Sequence, residues 1–266
     1  MEATELPSGE ISGTVLLYNN PEPLSIELHG KLGVKQLELP FAFAATTQLV
    51  PLTVTEFQPA GVSYPVIFVG NEYTPVGVMG LREGSNLFLY TDVASDPEVY
   101  VPAYVRRYPF VFANDQASER MILCIDRKAK LIDENGGEIP LFDKGEPSEY
   151  TKNAMEFCRE FETERRRTDD FVKMLKELDL FDVKQAMFSP TMPDGSTGEP
   201  QLMAEYFAVS EEKLSKLPPE KIAEMFANGA LQQIYAHIMS LLNWQRLVTR
   251  SFTLGQTTTV PVAGNA

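Results

Sequence analysis

Histidine and cysteine are nearly missing from this chain, with two of each in 266 residues. A site built on several imidazoles or thiolates cannot be assembled from so few, and no Cys or His pair has metal-ligand spacing, so no metal is expected. The chain also lacks a Gly-x-x-x-x-Gly-Lys phosphate loop, a Gly-x-Gly-x-x-Gly turn and a Gly-x-Ser-x-Gly elbow. Those absences remove the common nucleotide-binding and hydrolase frameworks, and no cofactor is expected. Basic residues are short as well: 23 Lys and Arg stand against 37 Asp and Glu, a net charge of −14. Nucleic acid and anionic lipid both need a cationic footprint, so neither is an expected partner. The densest basic run, Arg165-Arg166-Arg167, sits among Glu160, Glu162, Glu164, Asp169 and Asp170. At helical spacing it forms pairs such as Glu162 with Arg166 and Arg166 with Asp170, and reads as a solvated helix face. No apolar run reaches the ~18 residues of a membrane-spanning helix. The nearest, 37–54, is broken by Pro40, Gln48 and Pro51. Residues 1–7 carry neither a basic nor an apolar leader region, so a cytoplasmic location is expected.

What the chain does contain is two kinds of periodicity. Residues 1–23 are rich in turn formers and read as a loose arm. From Leu24 to about 145, short β segments are punctuated by Gly, Pro and Asn, with strands expected at 49–57, 64–69, 73–81, 86–91 and 120–126. Arg82–Ser85 suits a hairpin loop, and Asn135-Gly136 a second tight turn. Pro102 opens a helical turn that Pro109 stops. Ile67, Val69, Ile122 and Cys124 are expected to share one buried sheet, and both cysteines to be reduced and buried.

At about 145 the period changes. Ser148 is placed to cap a long amphipathic helix reaching 180, in which Ala154, Cys158, Phe161, Val172, Leu175 and Leu178 recur at three- and four-residue intervals. A small β unit follows at 183–192 and 201–209. Ser210 then caps one short helix, Pro218-Pro219 opens another that Asn228-Gly229 ends, and a last helix runs 230–249. The class is α+β: a β-rich N-terminal half of short antiparallel strands and hairpins packed with a mainly helical C-terminal half. One domain is expected over 24–252, with 253–266 a disordered tail.

The candidate site lies in the stretch Val99–Arg127, where Arg106 and Arg107 stand among Tyr100, Tyr104, Tyr108 and Phe110 and a following strand ends on Asp126. A guanidinium buried among rings without a partner costs several kcal/mol, so this stretch is either a structural knot or a ligand pocket. At least one of the two arginines is expected to be buried against Asp126 or Glu56. The candidate ligand-binding residues are Tyr104, Arg106, Arg107, Tyr108, Asp126 and Glu56, suited to a peptide or a planar anion. On the last helix, Leu231, Ile234, Tyr235, Ile238, Leu241 and Leu242 form a stripe too broad for one packing surface. Tyr235 and Trp244 are therefore candidates for a homodimer or partner interface. His237 reads as a packed core histidine, and His29 as a turn or capping residue.

A series of short motifs runs Pro51-Leu52 with Glu56-Phe57; Tyr64-Pro65-Val-Ile-Phe68; Gly80-Leu81-Arg-Glu-Gly84 with Asn86-Leu87-Phe88; Tyr100-Val-Pro-Ala-Tyr104-Val-Arg106-Arg107-Tyr108-Pro109-Phe110; Cys124-Ile-Asp126; and Leu141-Phe142 with Gly145. Gly229-Ala-Leu-Gln-Gln-Ile-Tyr-Ala-His237-Ile-Met-Ser240 extends it to the C-terminal helix. This order of motifs resembles that of the SapC family of bacterial proteins. The resemblance covers about 24–250 and implies a bacterial source and a one-domain architecture. It supplies no catalytic residue, and the family name derives from an association with surface layers. The expected function is a non-enzymatic accessory or binding protein that holds a peptide or protein client. The alternatives are a cofactor-free enzyme acting on a peptide or small anion at the arginine-aromatic group, and a surface-layer-associated structural component.

Overall fold

The structure, a computed structural model, describes residues 16–89, 99–114, 121–190 and 196–254. Its strands of three or more residues are β1 (Pro21–Pro23), β2 (Leu49–Pro51), β3 (Val66–Val69), β4 (Thr74–Val78), β5 (Phe110–Asn114), β6 (Met121–Asp126), β7 (Phe181–Phe188) and β8 (Gln201–Val209). Its α-helices are α1 (Ile26–His29), α2 (Phe57–Gly61), α3 (Ala103–Arg106), α4 (Glu149–Glu177), α5 (Glu211–Ser215), α6 (Pro219–Ala227), α7 (Ala230–Ser240) and α8 (Asn243–Thr253). The class is α+β, as the two periodicities require. Two compact units divide the span read as one domain, each assembled from two separated stretches: 1–40 with 107–162, and 41–106 with 163–266.

In the first unit β1, β6 and β5 form an antiparallel sheet in that order, with Glu22 and Phe110 both opposite Ile125. Leu32, Val34, Phe110, Leu123, Ile125, Leu141 and Cys158 make its core. Residues 18–23, read from sequence as part of a loose arm, belong to this fold. Tyr18 is buried with its hydroxyl donating to Phe110 O at 2.6 Å, and β1 follows. The turn at Asn135-Gly136 does not close a hairpin. Ile132–Asp133 and Ile139–Pro140 pair instead with either side of Gly33–Val34. The loop lies so close that a Cβ on Gly33 would stand 1.7 Å from Gly136 O, which is why glycine is needed there. Ser148 Oγ accepts from Thr151 N at 3.3 Å, the expected cap of α4.

The second unit holds a five-stranded antiparallel sheet in the order β7-β8-β3-β4-β2. The strand expected over 49–57 stops at Pro51. Thr53 and Glu56 form a capping box that turns the chain into a 3-10 turn over Val54–Glu56 and then α2. The strand expected from 86 is also absent as far as 89, the last described residue there. The Asn86 side chain takes Phe88 N and Leu89 N for itself and donates to Thr47 O. Ile67 and Cys124 are buried as expected, yet β3 and β6 belong to different sheets, and Val69 and Ile122 are only half-buried. The single last helix is two, α7 and α8. Ser240 Oγ bonds back to His237 O at 2.6 Å, and Asn243 Nδ2 donates to Gly61 O at 2.6 Å, across to the end of α2. Phe57 packs edge to face on Phe68 and Phe171 in this core.

Candidate functional site

In the first unit, Arg107 is buried, as the sequence led one to expect, but the carboxylate facing it is neither Asp126 nor Glu56. Glu162 of α4 lies 3.6 Å from its Nη1, and the guanidinium sits 4.3 Å from the Phe161 ring centre and 6.0 Å from that of Tyr18. A weakly hydrated planar cation tolerates such aromatic walls far better than an ammonium does. Glu162 is thus turned to Arg107, and the exposed face of α4 carries ion pairs that include Arg165 with Asp169 at 2.8 Å and Arg167 with Glu164 at 3.9 Å. The neighbouring Cys158 thiol is pushed up to about 11, by burial first, with the Arg107 charge opposing and Glu162 reinforcing the shift. Burial thus disfavours its thiolate, the nucleophilic form.

Asp126 is fully buried at the end of β6 and has no lone pair left for a ligand. One oxygen accepts from Asn20 N at 3.0 Å and Lys128 N at 3.1 Å, the other from Asn19 N at 2.9 Å and the Tyr108 hydroxyl at 3.2 Å. Four donors fill the roughly four acceptor sites of a carboxylate. Burial, and then the Asp126 charge, push the Tyr108 phenol above its ordinary range. Asp126 thus fastens the approach to β1 onto β6.

In the second unit Glu56 is buried and equally committed. Oε2 accepts from Thr53 N and Thr53 Oγ1, both at 2.8 Å, while Oε1 accepts from Ala103 N at 2.7 Å and the Tyr100 hydroxyl at 3.0 Å. One carboxylate so completes the capping box and also meets the first N–H of α3. Arg106, at the end of α3, is exposed. Its Nε donates to Val101 O at 3.0 Å and an Nη to the Tyr100 hydroxyl at 3.2 Å, with the guanidinium 5.7 Å from the Tyr100 ring centre. Burial, then Glu56, raise the Tyr100 phenol to about 12. Tyr104 is buried. The six sequence-selected residues therefore divide, with Arg107, Tyr108 and Asp126 in the first unit and Glu56, Tyr104 and Arg106 in the second.

Both histidines serve the fold. His237 is fully buried; Nε2 accepts from Val209 N at 3.1 Å, which leaves the proton on Nδ1 for Val66 O at 2.8 Å. Burial lowers it to about 4. His29, also buried, meets Glu22 Oε1 at 2.8 Å through Nε2 and Ser25 through Nδ1. Among the described residues no group of three or more His, Cys, Asp or Glu is arranged to hold a metal ion.

One feature escaped the sequence. A cleft of about 320 Å³ opens in the second unit where Phe171 and Met174 of α4, Val54 and the Gly229-Ala230 start of α7 converge. Gln233 also lines it, with its Oε1 buried and without a hydrogen-bond partner. Asn228-Gly229 marked a helix junction in the sequence, but nothing there announced that α4 would face it. Apolar exposure on the last helix, by contrast, was expected, and it is found on α7. Tyr235 is exposed as expected of an interface residue, whereas Trp244 leans on its own unit, its Nε1 donating to the Tyr206 hydroxyl at 3.2 Å. No described helix is long and apolar enough to cross a membrane.

The SapC family model matches residues 24–247, most of the chain. No curated protein and no solved structure matches it.

Proposed function

Starting from the SapC family, to which this chain belongs, we propose that it acts as an accessory protein without a reaction of its own, holding a peptide or protein client on the exposed face of α7. The observation that carries this reading is an apolar row in solvent. Tyr235 and Met239 of α7 are 45% and 67% exposed at the i, i+4 spacing of one helix face, and Leu242, 81% exposed, follows in the turn before α8. Val62, 69% exposed, follows the end of α2, where Asn243 and Arg246 of α8 bond to Gly61 O and Val62 O. Large apolar side chains gathered on a water-facing helix are the usual mark of a docking site, and such a face suits an amphipathic segment of a partner. The buried ionisable groups Glu56, Asp126 and His237 add support, since backbone donors and acceptors already occupy them.

Co-purification of tagged full-length chain from its native host, comparing wild type with Met239→Glu, tests the reading. A charge in the middle of the row should cut client recovery by about ten-fold or more, as loss of a central anchor does, with an unchanged thermal melt because Met239 touches solvent. Equal recovery by the two proteins would overturn it.

A further inference from the structure

We infer that the outer edge of β7 pairs antiparallel with the same edge of a second copy, about a two-fold axis through Gln185. This surface is separate from the α7 row, and the inference does not rest on the client reading.

β7 ends the five-stranded sheet, so only β8 covers one of its two backbone edges. The register Phe181 opposite Val209, together with the bond from Ser210 N to Leu180 O at 2.8 Å, settles which backbone groups point where. Residues 180, 182, 184 and 186 turn theirs toward β8, and Val183 and Gln185 turn theirs outward. The register shifts by one between Ala186 and Met187, where β8 carries the extra residue, so the alternation along β7 continues and Met187 also turns outward. Two observations agree with this parity. Phe181 O, an outward group, is taken by Lys213 Nζ at 2.8 Å, and Val209 N, opposite Phe181, bonds away from β7 to His237. Among the described residues nothing bonds to the outward N–H and C=O groups of Val183, Gln185 and Met187. Lys213 closes the open run at one end. At the other the strand itself ends, at Phe188.

The edge is complementary to itself. Antiparallel pairing through Gln185 sets Val183 of each copy opposite Met187 of the other. These two side chains are 56% and 48% exposed, and they stand on one face of the strand. Their cross-strand contact would remove both from water twice over, while each copy's three outward residues exchange backbone hydrogen bonds with the other's. The charges favour this register too: Lys184 falls opposite Ala186, whereas an axis through Lys184 would set two ammonium groups face to face. The contact is at the small end of specific interfaces, so the dimer forms and dissociates with concentration.

Light scattering on full-length chain across a concentration series should show the mass rising toward twice the monomer, and Gln185→Pro should hold it at the monomer. Proline is tolerated at that position within one chain, because the N–H it removes points outward. Should Gln185→Pro unfold, cysteine pairing decides. Gln185→Cys should form a disulfide-linked dimer on exposure to oxidised glutathione and Lys184→Cys should not. Residues facing across the axis stand about 5.5 Å apart at Cα, while those one step along fall about 7–8 Å apart, beyond disulfide reach. The native Cys124 and Cys158 are buried thiols and do not compete. A monomeric mass at every concentration overturns the inference. So does a dimer that persists in folded Gln185→Pro, or cross-linking no greater at 185 than at 184. Met239→Glu should leave the dimer intact, which separates failure here from failure of the client reading.

Discussion

Arg107 and Asp126 show how little of a buried charge is left over once its neighbours are counted. Arg107 meets one carboxylate oxygen at 3.6 Å and two aromatic walls. The walls need a flat cation, so Arg107→Lys should lower stability by about 1–3 kcal/mol even though the charge is kept. A denaturant titration in which Arg107→Lys matches wild type would mean that the rings contribute nothing. Asp126 is more demanding, because each of its oxygens already serves two donors. Asp126→Asn places an amide N–H among donors and should cost about 3 kcal/mol, with the loss visible in the same titration.

At the scale of elements, short polar motifs decided where strands and helices end. Thr53 with Glu56 stopped an apolar run that reads as a nine-residue strand, and the same carboxylate meets the start of α3. Glu56→Gln keeps the volume but turns an amide N–H toward either Thr53 or Ala103. A loss of roughly 2 kcal/mol is expected, against a few tenths for the neighbouring Thr55→Ala on the exposed side of the turn. Comparable melts for the two variants would remove Glu56 as the joint of these elements. The division of the last helix into α7 and α8 has the same origin, since the Ser240 and Asn243 side chains bond to main-chain carbonyls at the break. Tyr235 and Met239 on α7 and Leu242 at the break stand in solvent.

For the whole molecule, His237 ties stability to pH. Its folded value is about 4, below the 6.5 of an unhindered imidazole. Below pH 6.5 the unfolded chain takes up a proton that the folded chain refuses, so stability falls as pH drops from 6.5 to about 4 and this contribution levels off below that. Between pH 7.5 and 4.5 wild type should lose roughly 2–3 kcal/mol more than His237→Gln, the comparison removing the share due to carboxylates. Parallel pH profiles would show that the buried imidazole is not what acid attacks. The sequence by itself determined what depends on neighbours within a turn or two of chain: the α+β class, the caps at Ser148 and Ser210, the Pro219 start and Gly229 junction, and the burial of both cysteines. Periodicity and capping are local, so local residues reveal them. Which carboxylate meets Arg107, which sheet receives Val66–Val69 and which receives Met121–Asp126, and which strand ends the five-stranded sheet were decided only by the tertiary structure. Each of those is a choice among distant segments of similar composition, and it is made by packing and by the completion of buried hydrogen bonds, neither of which leaves a mark on the residues nearby.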